Sequence, residues 1–505
     1  MNIPVALNNS RSRSPEKLAI VCGEHSWTYA EVDLLTDKLA ANLLIAGVRQ
    51  GDRIAFHLAN GLELAIGYIA CFKAGGIVVP INTRLKGPEI DYILRHSGSM
   101  CYIGQPEFYA GLPSSCPAID SLELRYLTGD QRDDQVKQFN DLLVETNESL
   151  PGPDIHPDQV AVILYTSGTT ARPKGVMHTH QTLVQTAKAM EQMGLDQDQV
   201  AVIMTSMTHM IGFGMVFLSA LLNGATVAIS RPFDYEGTLR AFARWRVTYL
   251  LGLPILFRGL MQAQVEVQSY VASGKLFFCG GDSVPSALQE AFGNVFGPVC
   301  EVFGTTEIAP AAWNRPGQIK VGSIGYPPDG SSFRLVDSDE NDVQAGEEGE
   351  ICIKGPHLMA GYWQDPEATS AAIRDGWFHT GDLARSDDDG FYWFVGRKKE
   401  IIIRGGSNVS PLEVEAVFYQ HPAVSEVGVV GRRHPVWGEI VIAFVVLRAG
   451  MESTEDELIA FARERLADYK VPESILFRDE LPKGSTGKIL RRALDQEESA
   501  LVARI

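Results

Sequence analysis

Short apolar runs alternate with helical stretches through the first part of the chain, and this rhythm restricts it to a layered α/β architecture. From Trp27 to Thr83 the order reads helix, strand, helix, strand, with Ile54–Leu58 and Gly76–Ile81 as the strands. The alternation resumes with a strand at Ala161–Tyr165, a helix at Gln181–Met193, and strands at Ala201–Met204 and Thr248–Leu253. Doubly wound sheets are the economical expectation. After about Gly325 the texture changes to short strands and turns, at Ser332–Val336, Glu348–Lys354 and Phe391–Val395, which predicts a β-rich subregion. Beyond the charged run Arg397-Lys398-Lys399-Glu400 come strands Val427–Val430 and Ile440–Leu447 and an amphipathic helix Thr454–Leu466. These are enough for a small separate domain. The expected division is a large N-terminal domain, 1–396, and a small C-terminal domain, 397–505.

A length of 505 residues exceeds one ordinary core and favours such a division. With 45% hydrophobic and 21% charged residues, the chain has ample material for globular cores. Its net charge of −18 repels polyanions, which argues against extended contact with nucleic acid or anionic membranes and requires a local basic pocket for any nucleotide. The seven cysteines contain no C-x-x-C pair, so neither a zinc ribbon nor a disulfide framework is expected. Residues Met1–Lys17 lack the apolar core of a secretory signal, and the most apolar stretches are interrupted by Glu63, Lys73, Asn223 and Gly224. A cytoplasmic protein without a transmembrane segment is the expectation. The acidic turn Asp387-Asp388-Asp389-Gly390 lacks the alternating spacing and closing Glu of a calcium loop and reads as a solvated hairpin turn.

The strongest chemical signal is the segment from Tyr165 to Val176, Tyr-Thr-Ser-Gly-Thr-Thr-Ala-Arg-Pro-Lys-Gly-Val, which directly follows a buried strand. The hydroxyls of Thr166, Ser167, Thr169 and Thr170, the backbone exposed by Gly168 and the cation of Lys174 suit phosphate. The spacing is not that of a Walker A loop, and Val176–His180 reads as a strand rather than a helix.

This loop resembles the signature of the adenylate-forming superfamily, which comprises acyl-CoA synthetases, firefly-type luciferases and the adenylation domains of peptide synthetases. Further motifs follow in that family's order: Thr208-His209-Met210-Ile211-Gly212, Phe303-Gly304-Thr305-Thr306-Glu307, Trp377-Phe378-His379-Thr380-Gly381-Asp382, Gly396-Arg397 with Gly405-Gly406, and Pro482-Lys483-Gly484-Ser485-Thr486-Gly487-Lys488-Ile489. The resemblance covers nearly the whole chain and implies an ATP-dependent acid:CoA ligase whose small α+β domain is mobile. Attack of a carboxylate on the α-phosphate builds negative charge that needs cations. By resemblance Glu307 helps hold Mg²⁺, Lys488 bonds the carboxylate and α-phosphate, Asp382 and Arg397 take the ribose, and Thr305 and Thr306 lie along the nucleotide. Phe303 with Gly304, and Gly281-Asp282-Ser283, resemble the walls around adenine, although Asp282 and Ser283 depart from the family's usual Gly-Ala-Pro. Lys399 takes the hinge position, Gly405 and Gly406 would line the pantetheine tunnel, and Trp437 matches an aromatic that packs on CoA in some relatives. His209 would guard the acyl pocket, whereas His178 and His180 read as structural because no third metal ligand accompanies them.

The resemblance places the acyl pocket at His209–Met215, Leu251–Pro254, Cys279–Gly281 and Val302–Thr306, with Ile211, Gly212 and Gly280 at its wall; these segments are almost wholly apolar. Gly212 and Gly214 are expected to leave room for an elongated or planar group, with Phe213 and Met215 supplying adaptable contact. A fatty or other hydrophobic monocarboxylate follows, with a benzoate- or cinnamate-like acid as the alternative. Arg258 is expected on the exposed side of its helix and so out of reach of a diacid. An amino-acid-adenylating enzyme should carry a pocket acid for the ammonium, and only Asp282 and Glu301 lie in these segments, neither in the expected place. A luciferase-like oxygenase shares the motifs and stays open. A non-catalytic nucleotide sensor should lack one of Lys488, Glu307, Asp382 or Arg397, and all four are present.

Overall fold

The computed structural model describes residues 1–129, 136–146, 152–166, 173–263, 275–282, 284–404, 407–434, 436–484, 488–491 and 493–494. Among these the strands form four sheets. Two are eight-stranded and built largely from parallel pairs, as expected where strands read as continuous apolar runs buried on both faces. The first runs, edge to edge, through Ala312–Trp313, Val299–Phe303, Leu276–Gly280, Tyr249–Gly252, Val200–Ile203, Thr226–Ile229, Leu18–Cys22 and His25–Thr28. The second is centred on Val160–Thr166, Ile77–Pro80 and Arg53–His57, with Ile54 in register with Val78 on one side and Cys101 on the other.

Helices Tyr29–Ile45, Leu62–Lys73 and His180–Gln192 contribute buried residues to one apolar core shared by both large sheets, which unites Ile20, Tyr29, Leu39, Phe56, Phe72, Val78, Leu183 and Ile203. Helix Tyr29–Ile45 starts where Thr28 and Glu31 exchange side-chain and backbone hydrogen bonds, satisfying amides that the first turn leaves unpaired. Helix Leu62–Lys73 is buried along nearly its whole length, which its scarcity of charge allows.

The π-helix Ile211–Leu218 enters the same core. There Phe213 stands edge-on to Tyr68 at 5.3 Å and Met215 is buried, so these side chains fill the space between the layers rather than supply adaptable contact to an acid. Gly212 and Gly214 likewise allow close packing. A Cβ on Gly212 would lie 2.4 Å from the Ser206 carbonyl oxygen, and one on Gly214 would lie 2.6 Å from the Met210 sulfur. The room expected from their missing side chains is already occupied by protein.

The third sheet pairs Ser332–Val336, Gly349–Lys354, Trp377–Ser386 and Tyr392–Arg397. Its acidic turn is a tight hairpin: Asp387 accepts from Phe391 N at 2.8 Å, and Lys320 reaches Asp387 and, at 2.7 Å, Asp389. The fourth sheet belongs to the smaller C-terminal domain. Its strands Val424–His434 and Gly438–Leu447 pair antiparallel, Ser474–Phe477 adds in parallel, and helices Pro411–Phe418 and Glu455–Arg463 close a core around Val427, Val441 and Leu458. Among the described residues no helix is long and apolar enough to cross a membrane. All seven cysteines are free thiols.

Candidate active site

Thr166, Gly280 and Phe303 sit at the ends of strands of the two large sheets, whereas Asp382 and Arg397 lie on antiparallel strands of the third sheet and Lys488 on a turn of the small domain. Val160–Thr166 ends at Thr166 and pairs antiparallel with Lys174–Thr179, the strand that follows the hydroxyl-rich segment. Ser167, Gly168, Thr169 and Thr170 of that segment lie outside the described residues, as do Ser283, Gly405 and Gly406.

At the described end of the loop, the Lys174 ammonium lies 4.5 Å from the centroid of Tyr362. The Tyr362 hydroxyl donates to Glu307 Oε1 at 2.8 Å. The phosphate-type lysine and the candidate metal carboxylate thus share one aromatic neighbour. His178 holds the backbone just before Glu307, with Nε2 2.8 Å from the Thr306 carbonyl, and burial lowers its pKa to about 4. His180 accepts from Ile3 N and packs on Phe72. Both histidines are engaged structurally.

Strand Leu276–Gly280 ends beside Val299–Phe303, where a Cβ on Gly280 would come within 1.9 Å of the Val302 carbonyl oxygen. Gly281 has φ +77°, and a Cβ there would strike Ile211 and Leu253 within 3 Å, so only glycine fits. Phe303 packs against Phe394 at 5.9 Å. Gly304 lies in a tight turn in which Thr305 and Ile308 exchange backbone hydrogen bonds, and the buried Thr305 Oγ1 has no partner among the described residues. An unsatisfied hydroxyl beside an aromatic wall suits a polar ligand edge.

Asp382 is buried opposite Arg397 on paired strands, with Arg397 Nε 3.3 Å from Asp382 Oδ1. Burial pushes the Asp382 carboxyl up to about 6, against the pull of Arg397 and Lys488. Glu350 braces this corner: one carboxylate oxygen accepts from Gly381 N and the other from Lys398 Nζ, each at 3.1 Å.

Lys488 comes from the other domain, on a turn closed by Gly484 N to Lys488 O and Leu490 N to Pro482 O, each 2.8 Å. Burial lowers its pKa, while Asp282 and Asp382 pull the other way and Arg397 adds to the lowering. His209 feels the same ammonium. Burial first, and then Lys488, lower its pKa to about 4, so its ring is neutral. Asn82 Oδ1 accepts from Arg84 N at 2.9 Å, which turns Asn82 Nδ2 toward His209 Nε2 at 2.8 Å. His209 Nε2 is therefore the acceptor, and the proton is on Nδ1.

Lys488, Asp282, Asp382, Arg397 and His209 therefore share one electrostatic neighbourhood, although they come from separate elements of both domains. Trp437 is exposed in the turn between Val424–His434 and Gly438–Leu447, and Lys399 is exposed in a turn closed by Glu400 N and Ile401 N onto the Arg397 carbonyl. Arg258 departs from its expected place. Its guanidinium lies 5.0 Å from the ring of Tyr419 in the small domain, a contact between domains that periodicity on one helix could not reveal.

Asn82, Glu350 and Tyr362 escaped the sequence reading. Each acts through a neighbour brought close by tertiary packing, and none sits in a glycine-rich or hydroxyl-rich run.

Residues 7–363 match the AMP-binding enzyme family, and residues 413–488 match the AMP-binding enzyme C-terminal domain. The chain belongs to the AMP-binding enzyme family. It is 36% identical over 482 residues to a feruloyl-CoA synthase of an Amycolatopsis species, covering 95% of each chain. It is 34% identical to a long-chain-fatty-acid–CoA ligase of Bacillus subtilis, covering 98% of this chain and 94% of that one. Among solved structures of AMP-binding enzymes, it is similar to an anthranilate CoA ligase in complex with anthranoyl-AMP, with TM-score 0.93, 28% identity and coverage of 100% and 98%.

Proposed function

We propose that this AMP-binding enzyme is an AMP-forming acid:CoA ligase for a hydrophobic monocarboxylic acid, with ATP, Mg²⁺ and CoA as its other reactants. The observation that carries the reading is the buried Asp382 carboxylate held 3.3 Å from Arg397 Nε, with Lys488 of the small domain within electrostatic reach of it and of Asp282 and His209. In the first step a substrate carboxylate oxygen attacks the α-phosphorus of ATP, and pyrophosphate leaves. Lys488 stabilises the charge shared by that oxygen and the α-phosphate, and Asp382 with Arg397 orients the ribose. Glu307 suits Mg²⁺ as a hard oxygen donor, and its Oε2 takes no hydrogen bond from a described residue. Bound there beside the phosphates, the ion would spread their negative charge.

In the second step the CoA sulfur attacks the acyl carbonyl, AMP leaves, and the thiol proton passes to solvent or base. Neutral His209 sits beside Lys488 without competing as a second cation. The small domain, 397–505, turns about Lys399 relative to 1–396 and brings Gly405, Gly406 and Trp437 toward CoA. The seven free thiols fit a reducing, cytoplasmic compartment.

Ile211 and Leu253 press on Gly281, which gives the acid an apolar surround. Similarity to a feruloyl-CoA synthase favours an aromatic acid as the second reading. An amino acid is disfavoured because Asp282 and Glu301, the acids in the pocket segments, are not where the resemblance expects a partner for its ammonium.

The test is ATP-dependent pyrophosphate release across fatty acids, benzoates, cinnamates, malonate and amino acids, with and without CoA. Apolar acids should yield AMP and acyl-CoA; release with amino acids alone would reject the reading. Lys488→Ala should lower acid-dependent pyrophosphate release by about a hundredfold or more, the scale for losing one transition-state donor. It should still convert supplied acyl-adenylate and CoA to thioester, and equal loss of both half-reactions would contradict the role.

A further inference from the structure

Tyr362 lies on the two-residue strand Gly361–Tyr362, which pairs antiparallel with the strand leaving the phosphate-type loop, Tyr362 against Val176 and Gly361 against Met177. Its backbone is held on every side. Ala360 N donates to Met177 O at 2.9 Å, Trp363 N to Gly175 O at 2.7 Å, Met359 N to Glu307 O at 2.8 Å and Tyr362 N to Thr369 Oγ1 at 2.9 Å. One short strand is thereby tied both to the segment carrying Lys174 and to the one carrying Glu307. The ring is buried, with the Lys174 ammonium over one face and the hydroxyl on Glu307 Oε1. No direct ion pair joins Lys174 to Glu307 among the described residues; the phenol ring meets them both.

We infer that Tyr362 is a positioning residue for the phosphate end of the site: its hydroxyl sets the Glu307 carboxylate toward a divalent cation, and its ring seats Lys174 toward the triphosphate. The inference rests on the ligase reading above. Three physical points support it. A carboxylate with one oxygen fixed by a donor keeps the other oriented for a metal, and such supporting partners typically contribute ten- to a hundredfold in affinity. An ammonium over a phenol face retains its full charge. A ring between cation and anion also prevents their collapse into a mutual salt bridge, which would neutralise the groups that a magnesium nucleotide needs. The phenol O–H is the donor in this bond, because an ionised carboxylate can only accept.

The experiment is equilibrium binding of ATP by titration calorimetry, with and without Mg²⁺ and in the absence of any acid, supplemented by Mn²⁺ binding followed by electron paramagnetic resonance. Tyr362→Phe keeps the ring and loses the hydroxyl. It should weaken Mg²⁺-dependent ATP binding and Mn²⁺ binding about tenfold while leaving metal-free ATP binding unchanged. Tyr362→Leu removes the ring as well and should also weaken metal-free ATP binding. In a Glu307→Gln background Tyr362→Phe should cost nothing further, because its effect passes through that carboxylate. Unchanged metal dependence in Tyr362→Phe, equal losses with and without metal, or fully additive losses with Glu307→Gln would each overturn the inference. If the unsubstituted protein bound ATP no better with Mg²⁺, the ligase reading itself would fall and this inference with it.

Discussion

At the residue scale the chemistry depends on how burial shifts ionisable groups. Glu301 is nearly inaccessible, its Oε2 has no partner among the described residues, and burial pushes its carboxyl up to about 8. Below about pH 4 the group is protonated in folded and unfolded chains alike and has no effect on stability. As pH rises the unfolded chain loses this proton first, so the folded state is penalised increasingly until the folded group also ionises near pH 8. The penalty at that point is on the order of 5 kcal/mol. Glu301→Gln should therefore flatten the decline in melting temperature between pH 5 and 9, and thermal denaturation at both ends of that range would show it. A parallel decline in both proteins would mean that Glu301 is solvated. Glu307, Asp382 and Lys488 could be named as candidates because each falls inside a motif of fixed spacing. Asn82 was not, since an isolated asparagine after a strand reads like any turn residue, and only the fold brings it 2.8 Å from His209.

At the element scale the turn that presents Lys488 depends on Arg491. Its guanidinium bonds both oxygens of Glu415, at 2.7 and 3.0 Å, and also Glu400 at 3.0 Å. Glu415 is buried on helix Pro411–Phe418 and accepts from Val429 N at 2.8 Å, so helix, sheet and lysine turn meet at one carboxylate. Removing one partner of a buried pair leaves an uncompensated charge, and Arg491→Ala should destabilise the small domain by about 3–5 kcal/mol. Urea denaturation followed by circular dichroism would measure the change; a loss below 1 kcal/mol, the range of exposed pairs, would reclassify the pair as exposed. Strands Val424–His434 and Gly438–Leu447 and helix Glu455–Arg463 were readable from apolar periodicity to within about four residues, whereas helix Pro411–Phe418 and strand Ser474–Phe477 were not. The two-residue strand Gly361–Tyr362 was not, because two residues cannot display a period.

At the scale of the whole molecule the two domains meet through Arg258 and Tyr419, and through Lys488 facing Asp382 and Asp282. The link between them passes through the turn Arg397–Ile401, which holds exposed Lys399. If the small domain must turn about Lys399 to admit CoA, then Lys399→Pro, by fixing φ, should leave pyrophosphate release within about threefold of the unsubstituted rate. It should depress thioester formation tenfold or more, on the scale of other conformational gates. The two half-reactions assayed separately would decide this, and unchanged overall turnover would refute the hinge.

The sequence by itself determined the α/β layering, the division into a large and a small domain, and the order of the motifs. These follow from local periodicity, turn chemistry and fixed spacing, which neighbouring residues specify together. Tertiary structure alone decided which side chains share a surface. It sent Phe213 and Met215 into the core, carried Arg258 to the domain boundary, and set Tyr362 between Lys174 and Glu307. Such contacts join residues far apart in the chain, and their distances are set by how sheets and domains pack rather than by any pattern along the backbone.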